Sequence, residues 1–290
     1  MILLYSCPAD ALDLELSIHL RDWFEELGVR CEWLVNCENL GRVLWYGNEL
    51  PVPHIIPDDF KQHIGRIKPE LLIIDGLPFG SKGECHQTIN EMPTMWVARR
   101  LHWTAYLRKL KIENPAICNL SLVLEPLSKD QMDYINLVEH LQIQFPALDA
   151  GALPIYDIGS DSRKWLLLPS LDENQIAQQG GYAIELIEKE QKIPHLLDVA
   201  EFEPFQLPLN HLVSQYQRVI GGCSYSAACL ALQWIGKDLN MGFRWVDQCS
   251  SWDDQAGRLK AIRKRSWLKK ERSVDWKLWI KQHLEDRGVL

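Results

Sequence analysis

A turn in the last third of the sequence combines residues that suit the binding of a phosphate group. An apolar run at 218–220 leads into Gly221 and Gly222, and a small, hydroxyl-rich turn at 223–226 precedes an apolar, helix-like segment. The start of a helix presents unpaired backbone N–H groups and the positive end of the helix dipole. The arrangement therefore predicts a site for a phosphate or diphosphate, although strand–glycine–helix turns also occur for purely structural reasons.

A second polar segment follows further along the chain. Asp253, Asp254 and Gln255 precede another helix-like run at 256–263. Helix starts of this kind suit anionic groups. Two such turns in one α/β half can hold the two ends of a nucleotide sugar.

The elements that must position these turns alternate between strands and helices. Residues 2–5 read as a buried strand, the apolar spacing at 11–27 predicts a helix, and residues 29–35 read as a second strand. This order predicts a parallel sheet with right-handed crossovers. We also predict strands at 69–75, 95–98, 117–124, 164–168 and 195–200, a helix capped by Ser128 that runs to about residue 140, and loops at 41–57 and 202–208.

The loop at 6–13 contains the acid–base groups of the first half. In parallel sheets, ligands bind at the carboxyl ends of the strands, so this loop is expected to face a cleft. Asp10 and Asp13 are its ionisable residues, and either can activate a hydroxyl group as a general base. Asp10 can instead cap the following helix. We predict Asp10 and Asp13 as the catalytic candidates.

Charged residues also follow two of the predicted strands. Arg99, Arg100 and His102 form the densest polar group of the first half, and guanidinium groups suit an acceptor that carries phosphate or carboxylate. They can equally form a solvated helix start that pairs with nearby acids. Glu84 is a further acceptor-side candidate, with a helix-start carboxylate as the alternative.

Two separate motifs resemble one known family. The stretches GGCSYSA at 221–227 and DDQAGR at 253–258 resemble the carboxyl-terminal half of GT-B glycosyltransferases, in particular the bacterial predicted glycosyltransferases of the MurG-like group. The residues that match are Tyr225, Asp254, Gln255 and Arg258. In the first half, the stretch DGLPFGSKGE resembles the same family at Asp75, Pro78, Phe79, Gly80, Gly83 and Glu84.

The resemblance implies an α/β protein with two Rossmann-like domains that face a cleft. An acceptor-side domain is expected at 1–155, a donor-nucleotide domain at 164–272, and a last helix at 273–290 that packs back on the first domain. The implied activity is metal-independent transfer of a sugar from a nucleotide-diphosphate sugar to an acceptor. The implied donor-binding residues are Ser170, Gly222, Cys223, Ser224, Tyr225, Ser226, Asp254 and Gln255, with the last two on the sugar hydroxyls.

The turn also departs from the pattern of the family. Ser224, Ser226 and Ala227 replace its usual residues, and Leu230 stands where these enzymes commonly carry a Glu that holds the nucleotide ribose. The departures motivate an alternative function, a GT-B-like protein that binds a sugar nucleotide or a protein partner without chemistry. An epimerase on the same scaffold needs paired cleft carboxylates, and the sequence shows no clear pair.

Composition narrows the class of protein further. The length of 290 residues favours two domains, and a net charge of −8 argues against general nucleic-acid binding. The eight cysteines include no CxxC pair, so we expect reduced thiols in a cytoplasmic protein, with no metal site and no cofactor. No apolar run is long enough to span a membrane. The basic stretch 263–272 is either a solvated helix end or a contact for an anionic acceptor or membrane surface.

Overall fold

The structure, a computed structural model, covers most of the first half of the chain and parts of the second. It describes residues 1–8, 13–36, 57–142, 181, 184–185, 218–229, 252–263, 275–286 and 288, together with the backbone of the short strands at 43–45, 48–49, 164–168, 196–199, 205–207 and 243–245. Asp10, Ser170 and the basic stretch beyond Arg263 lie outside the described residues.

The described elements alternate between strands and helices. The strands are β1 (Ile2–Cys7), β2 (Cys31–Val35), β3 (Val43–Trp45), β4 (Asn48–Glu49), β5 (Leu71–Gly76), β6 (Thr94–Ala98), β7 (Leu120–Val123), β8 (Glu139–Gln142), β9 (Lys164–Leu168), β10 (Leu196–Val199), β11 (Phe205–Leu207), β12 (Arg218–Gly221) and β13 (Phe243–Trp245). The helices are α1 (Leu14–Glu26), α2 (Phe60–Ile67), α3 (His86–Glu91), α4 (Trp103–Leu110), α5 (Lys129–Ile135), α6 (Gln255–Arg263) and α7 (Trp276–Asp286). Residues 225–229 are also helical.

The first sheet contains six parallel strands in the order β2-β1-β5-β6-β7-β8. Successive side chains of each strand point to opposite faces, and both faces are covered. One face packs on α1, together with apolar residues of α6 and α7. The other packs on residues from α2, α3, α4 and α5. Burial on both faces explains why β1 and β5 are continuous apolar runs without alternation.

The second half of the chain forms a four-stranded parallel sheet in the order β10-β9-β12-β13. The predicted architecture, α/β with two Rossmann-like sheets, is therefore confirmed. A third, small sheet joins the two halves through the backbone, because β11 of the second half pairs in parallel with β3 of the first. Strand β4 pairs with β3 in the antiparallel sense.

Helix α7 is the last described element and packs against the first half. The rings of Trp276 and Trp23 lie 5.4 Å apart, and His283 contacts Glu139 at 2.7 Å. The domain limits at 155, 164 and 272 stay predictions, because residues around them fall outside the described part of the chain. Among the described helices, none is long and apolar enough to cross a membrane.

Three element predictions need correction. The helix capped by Ser128 ends at Ile135 instead of about residue 140, and a strand, β8, follows it. The predicted loop at 202–208 contains β11, and the predicted loop at 41–57 contains β3 and β4. These strands are short, and the partner of β11 lies far away in the sequence.

Candidate functional site

Polar side chains meet at the carboxyl edge of the first sheet. Ser6 and Asp75 lie near the ends of β1 and β5, Arg99 follows β6, and Glu125 lies shortly after β7. Asp13 directly precedes α1. Because the strands are parallel, their carboxyl ends share one edge, and residues far apart in the sequence come together there.

Arg99 is the centre of a first buried group. Its guanidinium forms ion pairs with Asp13, at 3.0 Å, and with Asp75. Ser17 donates a hydrogen bond to the other Asp75 oxygen and accepts one from Ser6 at 2.8 Å. All five residues are at most 3% exposed. Because an unpaired charge is costly in such surroundings, each charge here is matched by a partner.

Burial and the neighbouring charges act on the pKa values of this group in opposite senses, but the pKa values of Asp75 and Arg99 both rise. Burial raises the pKa of the Asp75 carboxyl, although the nearby Arg99 guanidinium opposes the rise. Burial acts to lower the pKa of Arg99, but Asp75 and Asp13 outweigh it and raise that pKa. Arg99 therefore stays charged. In this conformation Arg99 pairs with nearby acids, as the second interpretation of the sequence predicts, but it is buried and not solvated. Its role towards an acceptor stays a prediction.

The glycine turn of the second half follows β12 as the sequence predicts. Residues 225–229 begin a helix, and the Ser224 hydroxyl accepts a hydrogen bond from the Ala227 amide at 3.3 Å, which is an N-cap contact. Gly222, Cys223 and Ser224 are buried, and the Tyr225 side chain is 0% exposed. The turn is therefore packed inside the protein in this conformation.

The turn packs against the Arg99 group of the first half. The Ser226 hydroxyl donates a hydrogen bond to the Asp13 carboxylate at 3.4 Å. The Arg99 guanidinium lies 5.6 Å from the centre of the Tyr225 ring, within the range of a cation–π contact. The candidate catalytic residue and the candidate phosphate turn are thus direct neighbours.

Arg258 of α6 forms a second buried group that also joins the halves. Its guanidinium donates to both carboxylate oxygens of Glu125, at 2.7 and 2.8 Å, and to both of Asp253, at 2.6 and 2.8 Å. It also donates to the backbone carbonyl of Cys223, in the glycine turn, at 2.7 Å. Arg258 and Glu125 are both 0% exposed.

Burial and neighbouring charges also shift the pKa values of the Arg258 group. Burial raises the pKa of Asp253 to about 6, against the lowering effect of Arg258. Burial acts to lower the pKa of Arg258, but Asp253 and Glu125 raise it well above its ordinary value. Arg258 is therefore charged, and Asp253 takes up a proton more readily than an exposed aspartate does.

The Arg100–Asp254 ion pair lies at the outer edge of the same contact. Arg100 Nε is 2.6 Å from the Asp254 carboxylate, which also accepts from the Gly257 amide at 2.9 Å. His102 lies 3.8 Å from the same carboxylate and is 46% exposed. Burial acts to raise the pKa of Asp254, but the hydrogen bonds from Arg100 and Gly257 lower it below its ordinary value.

Backbone contacts reinforce this edge. The His102 amide donates to the Trp252 carbonyl at 2.8 Å, and the Asp254 amide donates to the Arg100 carbonyl at 3.3 Å. Gln255, the second residue predicted to hold the sugar, begins α6 and is 6% exposed. Arg100 and His102 on the acceptor side and Asp254 on the sugar side therefore share one contact between the halves.

Glu84 occupies a different position from the other acceptor-side candidates. Its carboxylate accepts hydrogen bonds from Tyr5 at 2.6 Å and from the backbone amides of Ser81 and Lys82 at 3.2 and 2.9 Å. Among the described residues, the structure shows no contact that joins it to Arg99, Arg100 or His102. It fixes the loop after β5.

We call the six buried charged residues between the halves the junction cluster: Asp13, Asp75, Arg99, Glu125, Asp253 and Arg258. Its four carboxylates outnumber its two guanidinium groups. Separate sequence signals indicated five of these residues but did not predict which of them meet, and they assigned no role to Glu125. Within the described residues, no group of three or more His, Cys, Asp or Glu side chains is arranged to hold a metal ion.

Comparison with known proteins places the whole chain among glycosyltransferase folds. No family model and no curated protein sequence matches this chain. The solved structure of spinosyn rhamnosyltransferase SpnG complexed with thymidine diphosphate matches with a TM-score of 0.55 at 13% identity, over 91% of this chain and 85% of that chain.

Two further solved structures match over similar lengths. Spinosyn forosaminyltransferase SpnP gives a TM-score of 0.53 at 10% identity, over 90% of this chain and 83% of that chain. MurG of Acinetobacter baumannii gives 0.51 at 9% identity, over 100% of this chain and 92% of that chain. At such low identity these likenesses show the fold alone, which is the GT-B fold.

Proposed function

We propose that this protein is a glycosyltransferase that moves a sugar from a nucleotide-diphosphate sugar to an acceptor, in the cytoplasm and without a metal ion. The observation that carries the proposal is the contact between Ser226 and Asp13, whose side chains lie 3.4 Å apart. A helix start that suits a diphosphate and a carboxylate that can act as a base thus meet at one place, from the two halves of a GT-B fold.

The proposed reaction needs a base on the acceptor side. Asp13 takes the proton of an acceptor hydroxyl while the hydroxyl oxygen forms a bond to the anomeric carbon of the sugar. The bond between that carbon and the diphosphate oxygen breaks, and the nucleoside diphosphate leaves with the electron pair. Arg100 and His102, which contact Asp254 at the outer edge of the contact, are assigned to the acceptor.

Stabilisation of the leaving diphosphate falls to the turn at 222–226. The helix start at Tyr225 offers backbone N–H groups and the positive end of a dipole to the negative charge that develops on the diphosphate. Asp254 and Gln255 are assigned to the sugar hydroxyls. Metal independence is part of the proposal, because oriented N–H groups can supply the stabilisation that a cation supplies elsewhere.

The comparisons support the proposal at the level of the fold. Solved structures that match at TM-scores above 0.5 include a rhamnosyltransferase, SpnG, complexed with thymidine diphosphate, and a forosaminyltransferase, SpnP. The donor base, the sugar and the acceptor of the present protein are separate questions, to be answered by experiment.

A second candidate function is binding of a sugar nucleotide or protein partner without chemistry. The observation that favours it is the state of the proposed base, Asp13, and of the proposed phosphate turn. The Asp13 carboxylate forms an ion pair with Arg99, and the Tyr225 ring is fully buried against the first half. A base that is held in an ion pair and a turn that is covered are both consistent with lost catalysis.

Titration calorimetry with UDP-, GDP- and TDP-sugars separates the candidates. Binding of one donor together with its slow hydrolysis supports the transferase. Binding without turnover in any acceptor screen supports the second candidate. The absence of binding to all three donors contradicts the transferase and the binding of a sugar nucleotide, and leaves a protein partner.

A further inference from the structure

The junction cluster covers the turn that the proposed function requires. Cys223, Ser224, Tyr225 and Ser226 are at most 7% exposed. Cys223 and Tyr225 belong to the same apolar cluster as α1. A diphosphate that is to contact this turn must therefore displace protein that now covers it. Some contact between the halves has to break before donor binding.

Arg258 is placed to control that contact. It binds Glu125 of the first half with two hydrogen bonds, and it binds the second half through Asp253 and the Cys223 carbonyl. The guanidinium thus ties the glycine turn directly to the first half. Separation of the halves breaks the two bonds to Glu125 while the bonds to the second half can persist.

The charges that make this contact specific also add a free-energy cost to the closed state. Four buried carboxylates face two buried guanidinium groups, so the closed contact holds excess negative charge or bound protons. The desolvation of so many charges offsets part of their attraction. Ions that are buried with incomplete compensation gain hydration when the contact opens.

We propose that the Arg258–Glu125 ion pair is a latch that keeps the turn at 222–226 closed against the first half, and that a nucleoside diphosphate reaches the turn only after the latch has opened. The inference rests on the proposed function and adds its regulation. A ligand that binds only the open form has an apparent affinity reduced by the open fraction, so a weaker latch gives tighter binding.

Arg258→Met is the variant that weakens the latch most directly. It leaves Glu125 and Asp253 facing each other without the cation between them, an arrangement that costs several kcal/mol in a buried site. The same two carboxylates are readily hydrated once the halves separate. Arg258→Lys keeps the charge, so we expect its Cys223 labelling rate and its nucleotide affinity to lie between those of Arg258→Met and the wild type.

Gly257→Ala weakens the contact between the halves beside the latch, at the Arg100–Asp254 ion pair, by a route that removes no charge. A Cβ at this position lies 2.2 Å from the Asp254 carboxylate and 2.4 Å from Arg100 Nε, so the neighbouring ion pair must separate. Asp130→Asn is the control. Asp130 is exposed on the first half and accepts a hydrogen bond from Thr104, away from the contact between the halves.

Alkylation of Cys223, followed by mass spectrometry of its peptide, measures opening without any ligand. Burial raises the pKa of the Cys223 thiol to about 12, so the closed form reacts slowly. Cys85, which is buried in the core of the first half, is the internal control for general loosening. The labelling rate follows the open population when opening is fast compared with alkylation.

We expect Arg258→Met and Gly257→Ala to raise the Cys223 rate at least about tenfold with Cys85 unchanged, and to tighten the binding of UDP, GDP or TDP by a similar factor. Asp130→Asn should match the wild type in both measurements. If Arg258→Met also exposes Cys85, Gly257→Ala decides the outcome.

The result separates the latch from the proposed function. Measurable nucleotide binding, with the same Cys223 rate and the same affinity in Gly257→Ala as in the wild type, overturns the latch alone. Faster Cys223 labelling in the variants, with no nucleotide bound by any of them, overturns the proposed function and leaves a latch that closes some other site.

Discussion

Arg258 in the second half donates hydrogen bonds to both carboxylate oxygens of Glu125 in the first half, 133 residues away in the sequence. Both side chains are fully buried. The two halves are therefore joined by a charged contact at the place where a GT-B fold is expected to bind its donor, and the properties of that contact can be measured.

A double-mutant cycle measures the strength of the pair. Arg258→Met is expected to lower the free energy of unfolding by about 3 kcal/mol or more, because it leaves buried carboxylates without their cation. Glu125→Gln should cost less, since Arg258 keeps Asp253 as a partner. In the double variant the loss should be smaller than the sum of the single losses by at least about 1 kcal/mol, as measured by chemical denaturation. Additive losses would show that the two side chains do not interact.

The anchoring of Glu84 is tested by two neighbouring glycines. Gly80 and Gly83 both have positive φ, at +79° and +91°, so each alanine variant carries backbone strain of about 1 kcal/mol. A Cβ at Gly80 lies 2.1 Å from the Glu84 carboxyl carbon, whereas a Cβ at Gly83 meets nothing within 4 Å. We expect Gly80→Ala to destabilise the protein by about 2 kcal/mol more than Gly83→Ala in chemical denaturation. Equal losses would mean that the Glu84 carboxylate does not fill this space.

The stability of the junction cluster should depend on pH through Asp253. This carboxyl faces Arg258, Glu125 and Asp13, and burial raises its pKa from an ordinary 3.8 to about 6. A raised pKa stabilises the folded protein below about pH 4, and this contribution disappears as the pH rises through about 6.

Asp253→Asn provides the control for that titration, because asparagine has the same shape and cannot ionise. The free energy of unfolding of the wild type should fall relative to that of the variant between pH 4 and pH 6.5, by at most about 3 kcal/mol, and then stay constant. A difference that is flat over this range, or that grows with pH, contradicts the assignment of a raised pKa to Asp253.

The sugar end of the proposed donor site is tested at Gln255. Gln255→Ala should weaken the binding of a nucleotide sugar by about tenfold, the loss of about one strong hydrogen bond, while the affinity for the free nucleotide stays unchanged. Calorimetry with both ligands on the same protein makes the comparison. An equal loss for both ligands would place Gln255 on the nucleotide instead of the sugar.

Much of the fold follows from the local character of the sequence. The strands β1 and β5 are continuous apolar runs because both faces of the sheet are covered, and the Ser128 cap marks the start of α5. The glycine turn before Tyr225 and the start of α6 also lie where the sequence predicts them. In each case residues that are close together in the sequence are enough to predict the element.

Other features depend on partners that the sequence does not reveal. Strand β8 consists of Glu139, His140, Leu141 and Gln142, and its partly exposed position at the edge of the sheet leaves no apolar run to detect. Strand β11 exists because its backbone pairs with β3, far away along the chain.

The candidate site also depends on partners that are distant in the sequence. Arg99, Arg100 and Asp254 were recognisable as charged residues near strand ends or helix starts, but their spacing does not say which charges meet. The structure pairs Arg99 with Asp13 and Arg100 with Asp254, so residues assigned to an acceptor and a donor hold each other in this conformation. Only the packing of the two halves determines these pairs.

Release of free nucleoside diphosphate from a nucleotide-diphosphate sugar, in the presence of excess EDTA, tests the central proposal most directly. We predict slow release from one of the UDP-, GDP- or TDP-sugars, unaffected by EDTA and reduced about a hundredfold or more in Asp13→Asn, which should still bind the nucleotide. Binding of a donor with no release by the wild type, or release that is equal in Asp13→Asn, would contradict it.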